Sequence, residues 1–208
     1  MRLALLLLVF ASCATRDAGI EVEVSLTVGP MPNGGPRLDV GRLSITSVRG
    51  VPCDELMASL NPISSAWAHG AHTPEAASPL RADVAVDVDL VTPGPTPLAT
   101  LRPPPGLWCG LELRFSPSTS DARWGGATLL VDANEGSASR RYLSTSQRAP
   151  QLRFLPLTLS DTTRHHHLTV GLDPTILSTL QPATSDTRLE LLDTLSSSIT
   201  MSAVETLK

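Results

Sequence analysis

The sequence predicts an all-β protein, a two-sheet antiparallel β-sandwich of Greek-key or immunoglobulin-like type with a short C-terminal helix. Three observations lead there. Apolar and polar residues alternate with period two in run after run. Turn-forming clusters separate those runs, in a chain with 18 prolines and 14 glycines among 208 residues. Aromatic residues make up only 3% of the chain, which with the abundance of Pro and Gly suits a β-protein with many turns.

The chain opens MRLALLLLVFASCATRD. Arg2 is a short positive region, positions 3–10 are an unbroken apolar run, and Ala11 and Ser12 are small. Such a run is shorter than the ~20 residues a membrane-spanning helix needs. The order is that of a secretory signal. Small residues directly before Cys13 resemble the lipobox of bacterial lipoproteins, with Phe10 where Leu is usual. The resemblance implies a signal peptide over 1–12, a lipid on Cys13, and a short tether over 13–19. An ordinary signal peptide cut near Ala14 is the rival reading. Ala14 is not the aspartate that retains lipoproteins in the inner membrane, so the expected home is the outer membrane, on its periplasmic or outward side. A lipid anchor holds because each buried methylene adds about 0.8 kcal/mol. No other segment is long and apolar enough to span.

Residues 20–208 read as one domain. In "IEVEVSLTV" Ile20, Val22, Val24, Leu26 and Val28 share one face, with Glu21, Glu23, Ser25 and Thr27 opposite. In "VAVDVDLV" Val84, Val86, Val88 and Leu90 face in, while Asp87 and Asp89 face out. In "LWCGLELRF" the alternation puts Leu107, Cys109, Leu111, Leu113 and Phe115 inward and Trp108, Glu112 and Arg114 outward. Each run predicts a half-buried strand. Weaker strands are predicted over 42–51, 127–133, 152–159 and 166–172. The turns are "GPMPNGGP", "TPGPTP", "RPPPG", "SPSTSD" and "DANEG". Near the end, Ser185 or Asp186 caps a short helix bearing Leu189, Leu192 and Leu195, while "SITMSAV" also suits a final strand.

The net charge of −4 is evenly spread and no basic patch exists, which gives nucleic-acid binding no electrostatic support. Lys208 is the only lysine. Of the 3 cysteines, lipidation of Cys13 leaves Cys53 and Cys109. In an oxidising envelope two such cysteines pair as a disulfide, a link that stabilises by roughly 4 kcal/mol on the chain-entropy model. The alternative is a pair of thiolate metal ligands, although neither cysteine belongs to a C-x-x-C clip.

Catalytic motifs are missing. The chain has no G-x-S-x-G elbow, no Walker loop and no G-x-G-x-x-G, which argues against an enzyme. Asp87 and Asp89 look like a carboxylate pair, yet their spacing only places both on the solvent face of a strand. The histidines are the better lead. "AWAHGAHTPEA" holds His69 and His72, and an H-x-x-H spacing lets two imidazoles reach one ion from a single turn. Imidazole suits copper and zinc. In "RHHHLTVGL" the inward face of Leu168, Val170 and Leu172 takes His166 with it and leaves His165 and His167 outward. His166 completes a site with His69 and His72 if both segments lie at one end of the sandwich. Otherwise it is a polar strand end. Trp67, Trp108 and Trp124 are expected to pack.

Three stretches together resemble the MbnP-like lipoproteins. These are "LSITSVRGV" (43–51), "ATLRPPPGLWCGLELRFSPS" (99–118) and "LTVGLDPTILSTL" (168–180). The resemblance covers about half of the mature chain, in order, and "AWAHGAH" before "SPLRADVAVDVDL" looks like a divergent branch. It implies a β-sandwich in the periplasm or at the outer membrane, copper binding, and a di-haem partner of the MbnH or MauG type. Further cysteines and an aromatic-rich segment with modifiable tryptophan have no counterpart here. The expectation is therefore a non-enzymatic, lipid-anchored sandwich that binds copper, with zinc second, for capture or delivery. His69 and His72 would be first ligands and His166 a third. The alternative is a metal-free envelope module that binds a protein or glycan through its loops, with the histidines incidental.

Overall fold

The computed structural model describes residues 19–31, 37–59, 78–119, 126–135, 138–179 and 187–207. They form two β-sheets packed face to face, as the alternation predicts. The smaller sheet has the order β10 (Ile199–Leu207), β9 (His165–Leu172), β1 (Glu21–Val28), β4 (Gly94–Leu101). The larger runs β7 (Ala138–Ser144), β6 (Leu129–Glu135), β2 (Arg37–Pro52), β5 (Gly106–Phe115), β8 (Gln151–Leu159). β3 (Arg81–Asp89) pairs with β2 beside that path. β2 is long because it serves three neighbours: β6 over its first half, β5 over its second, and β3 across the middle. Among the described residues no helix is long and apolar enough to cross a membrane.

The core lies between the sheets. Val22, Val24, Leu26 and Val28 meet Leu43, Ile45 and Val48, together with Leu111, Leu113 and Phe115. Leu168, Val170 and Leu172 extend the same layer from β9. A fully buried aliphatic side chain of this size stabilises by about 1.5–3 kcal/mol.

The chain departs from the predicted pattern in three places. "TPGPTP" is not only a turn, because β4 starts at Gly94. Pro95 and Pro97 are tolerated because β4 is a sheet edge, where a missing N–H leaves no neighbour without a donor. β7 went unpredicted: Arg140 and Arg141 stand together in its middle and blur the alternation. At the C-terminus both readings hold. α2 (Thr187–Ser197) buries Leu191, Leu192 and Leu195, and β10 follows it directly. Finally, β1 and β9 pair in parallel, from Glu21 beside His165 to Val28 beside Leu172, within sheets that are otherwise antiparallel.

The predicted face of β5 also needs correction. The register slips between Trp108 and Gly110 against β8, and between Val51 and Pro52 on β2. A slip of this kind inverts the side chains beyond it. Trp108 therefore turns into the core at 2% exposure, and Leu107 turns out at 52%. Gly50 makes room for the indole, since a Cβ there would stand 2.2 Å from the ring. The predicted disulfide forms nearby. Cys53 opens α1 (Cys53–Ser59) and bonds Cys109, with the two Cα atoms 4.7 Å apart. That overturns the alternative in which both thiols serve as metal ligands. Arg49 adds an ionic tie, reaching Glu55 of α1 at 2.8 Å and Glu112 of β5 at 3.4 Å. Burial disfavours its charge, but the two carboxylates outweigh that and hold the guanidinium above its ordinary range.

Ladder registers fix which element ends lie together. Glu21 meets His165, and Val22 meets Leu101. Pro52 meets Trp108, Arg49 meets Arg81, and Gly106 meets Leu159. Connections 102–105 and 160–164 join the two sheets there. One end of the sandwich thus collects the starts of β1, β3, β5 and β9 and the ends of β2, β4 and β8.

Candidate functional site

The histidine run opens β9 at that end. Strand alternation sends its three imidazoles to two different environments. His166 points inward and is 1% exposed. Its Nε2 lies 2.9 Å from the carbonyl oxygen of Thr163 and donates to it, which ties the strand to the turn before it. That turn is closed by the Thr163 amide on the Ser160 carbonyl. At that burial His166 is out of reach of a soluble ion unless the core opens.

His165 and His167 stand on the outer face. His165 Nδ1 is 3.6 Å from Glu21 Oε2, while Arg102 donates to the other oxygen of that carboxylate at 2.9 Å. His167 Nε2 is 2.9 Å from Ser25 Oγ. The imidazole helps to cover Ser25, which is 6% exposed despite lying on the outward face. A surface cavity of about 390 Å³ opens here, lined by Glu23, Ser25, Pro97, Thr100 and His167 among others. The β1–β4 ladder shifts register beside the cavity, where Val24 pairs with Ala99, Ser25 with Pro97, and Leu98 of β4 is the extra residue.

Ser25 and His167 have the separation of a nucleophile and its base. A working triad also needs a group that orients the base. Among the described residues no hydrogen bond joins His167 to a carboxylate. The contact is that of a hydrogen-bonded pair on a sheet surface.

The other sequence-derived positions fall as follows. Cys53 and Cys109 are the disulfide. Cys13, Trp67, His69, His72 and Trp124 lie outside the described residues. Asp87 accepts from Ser118 Oγ at 3.1 Å. Asp89 accepts from the Val91 amide at 2.9 Å and from Thr92 Oγ1 at 3.1 Å, so it holds the turn after β3. Among the described residues no group of three or more His, Cys, Asp or Glu side chains converges as placed on a metal-sized site.

Sequence reasoning passed over His165 and His167 because they point outward. What makes them notable is their neighbours: Glu21 and Glu23 stand beside them in register across the parallel pair. Each strand shows its own period-two pattern, E-x-E and H-x-H, at its start. No local signal says that the two strands are adjacent. Comparison with known proteins finds no matching family model, no matching curated protein and no matching solved structure.

Proposed function

We propose that this chain is a non-enzymatic, lipid-anchored protein of the bacterial cell envelope that binds copper for capture or delivery. His69 and His72 are its first ligands. The observation that supports this reading is a shared end of the sandwich. Segment 60–77, which carries both histidines, is bounded by α1 and by the start of β3. Both flanks belong to the end where β9 opens with His165, His166 and His167. The start of β1 lies there too, so a lipid on Cys13 would tether that same end through a stretch, 13–20, of at most ~25 Å. A di-haem protein of the kind encoded beside MbnP-like lipoproteins is the proposed partner.

A second reading has its own support. Leu155 on β8 is 88% exposed, and Met57 and Leu107 are also well exposed. β8 is an edge of the larger sheet, and exposed apolar side chains beside a free edge suit a protein-binding surface. On this reading the chain is a metal-free interaction module.

Copper and zinc titration of the unlipidated Cys13→Ser protein separates the two. The metal reading expects one copper equivalent at sub-micromolar affinity that is lost in His69→Ala/His72→Ala with the circular dichroism unchanged. Absent copper binding favours the interaction module, whereas binding that survives the double substitution unaltered rejects His69 and His72 as ligands.

A further inference from the structure

We infer a second metal site on the outer face of the smaller sheet, built by His165 and His167 of β9 and Glu23 of β1, that takes a divalent transition ion, Zn²⁺ or Cu²⁺. It uses none of the residues of segment 60–77 and does not rest on their role.

The backbone sets up the site. Parallel pairing puts Glu21 beside His165 and Glu23 beside His167. The residues between them, Val22 and His166, are buried, so all four partners project from the outward face. Strands lie ~4.8 Å apart and alternate residues ~6.7 Å apart. Two imidazoles and a carboxylate rooted on so small a patch can meet one ion at the ~2.0–2.2 Å that zinc ligands require. The donor set is borderline-hard, two nitrogens and an oxygen, which selects Zn²⁺ or Cu²⁺ over Cu⁺ with its preference for sulfur.

The surrounding contacts already sort the donors. Arg102 occupies Glu21, so on the β1 side Glu23, exposed beside the cavity, is the carboxylate ligand, while Glu205 of β10 flanks His167 on its other side. Ser25 Oγ takes the Nε2 side of His167. In the tautomer that donates Nε2–H to Ser25, Nδ1 keeps the lone pair that a metal needs. Ligating histidines are commonly held this way by a hydrogen bond on the second ring nitrogen. His165 turns its Nδ1 toward Glu21 and has Nε2 left to ligate. The side chains do not converge as placed. Convergence asks for rotation of exposed His165 and Glu23 about their side-chain bonds, with the strands fixed. Three protein ligands leave a fourth position open to water.

The test is Zn²⁺ and Cu²⁺ titration of the Cys13→Ser protein with every other residue native, beside three variants. His165→Ala/His167→Ala should remove one equivalent of bound metal while leaving any equivalent that depends on His69 and His72. Glu23→Gln, a surface change that preserves shape, should weaken that equivalent at least tenfold. Ser25→Ala should weaken it while keeping the stoichiometry. Electron paramagnetic resonance of the Cu²⁺ form of His69→Ala/His72→Ala should show two nitrogen ligands. Unchanged stoichiometry and affinity in both His165→Ala/His167→Ala and Glu23→Gln would overturn the proposal. So would a wild-type protein that binds neither ion. Loss confined to His69→Ala/His72→Ala would reject this site and leave the copper reading standing.

Discussion

Trp108 and Gly50 show how narrow the margins are at single positions. The indole occupies the space where a Gly50 side chain would be, and the ring is fully enclosed. Gly50→Ala should therefore destabilise by about 1–3 kcal/mol through overpacking, read as a lower midpoint in chemical denaturation with an unchanged slope. Asp193 tests the surface. The Arg148 guanidinium hydrogen-bonds its carboxylate and holds it below the ordinary aspartate range. A depressed folded-state value means that this pair stabilises above the unfolded carboxylate's titration and loses its effect as pH falls through the folded one. Asp193→Asn should cost less than ~1 kcal/mol at neutral pH, given its exposure. The difference from wild type should vanish in strong acid, as thermal melts across pH would show. The inward turn of His166 was legible in the sequence, because Leu168, Val170 and Leu172 set the phase of an unbroken strand. That of Trp108 was not. Its phase depends on a register slip against β8 and β2, which are far away in sequence.

At the level of elements, the long alternating runs were the legible ones: β1 and the second half of β5 bury the residues that the pattern assigns, and β3 buries Val88 with Val84 and Val86 partly covered. β4 and β7 were not, because both are edge strands. There one side of the ladder is solvent, so prolines and paired arginines carry little penalty and the pattern decays. The candidate site follows the same division. H-x-H and E-x-E can each be read from the chain, but their adjacency comes from strand order. α1 is too short to hold itself in place. Its attachment to β5 relies on Cys53–Cys109, which closes a separation of 56 residues, and on the Arg49 bridge. Cys53→Ser/Cys109→Ser should therefore lower stability by about 4 kcal/mol on the chain-entropy model. Denaturation of the double variant against the oxidised protein measures it, and a loss well under 1 kcal/mol would show that the link is incidental.

The whole molecule concentrates its chemistry at one end. The disulfide, α1, the flanks of segment 60–77 and the histidine run all gather where the two sheets exchange chain. The opposite face of β9 is sealed into the core. This polarity follows from inserting β9 between β1 and β10, with Ser25 and His167 in contact across a separation of 142 residues. The insertion has a temporal side. A chain made N-terminus first holds β1 with one edge vacant while the intervening residues emerge, on the order of 10 s at ribosomal rates. During that time β4 is the only smaller-sheet strand available to it, and the vacant edge invites wrong partners. The smaller sheet is thus finished last and from both ends of the chain. A product cut short before β9 would keep every strand of the larger sheet yet leave β1 with one edge unpaired along its length, so the last quarter of the sequence decides whether the first strand gains its second partner.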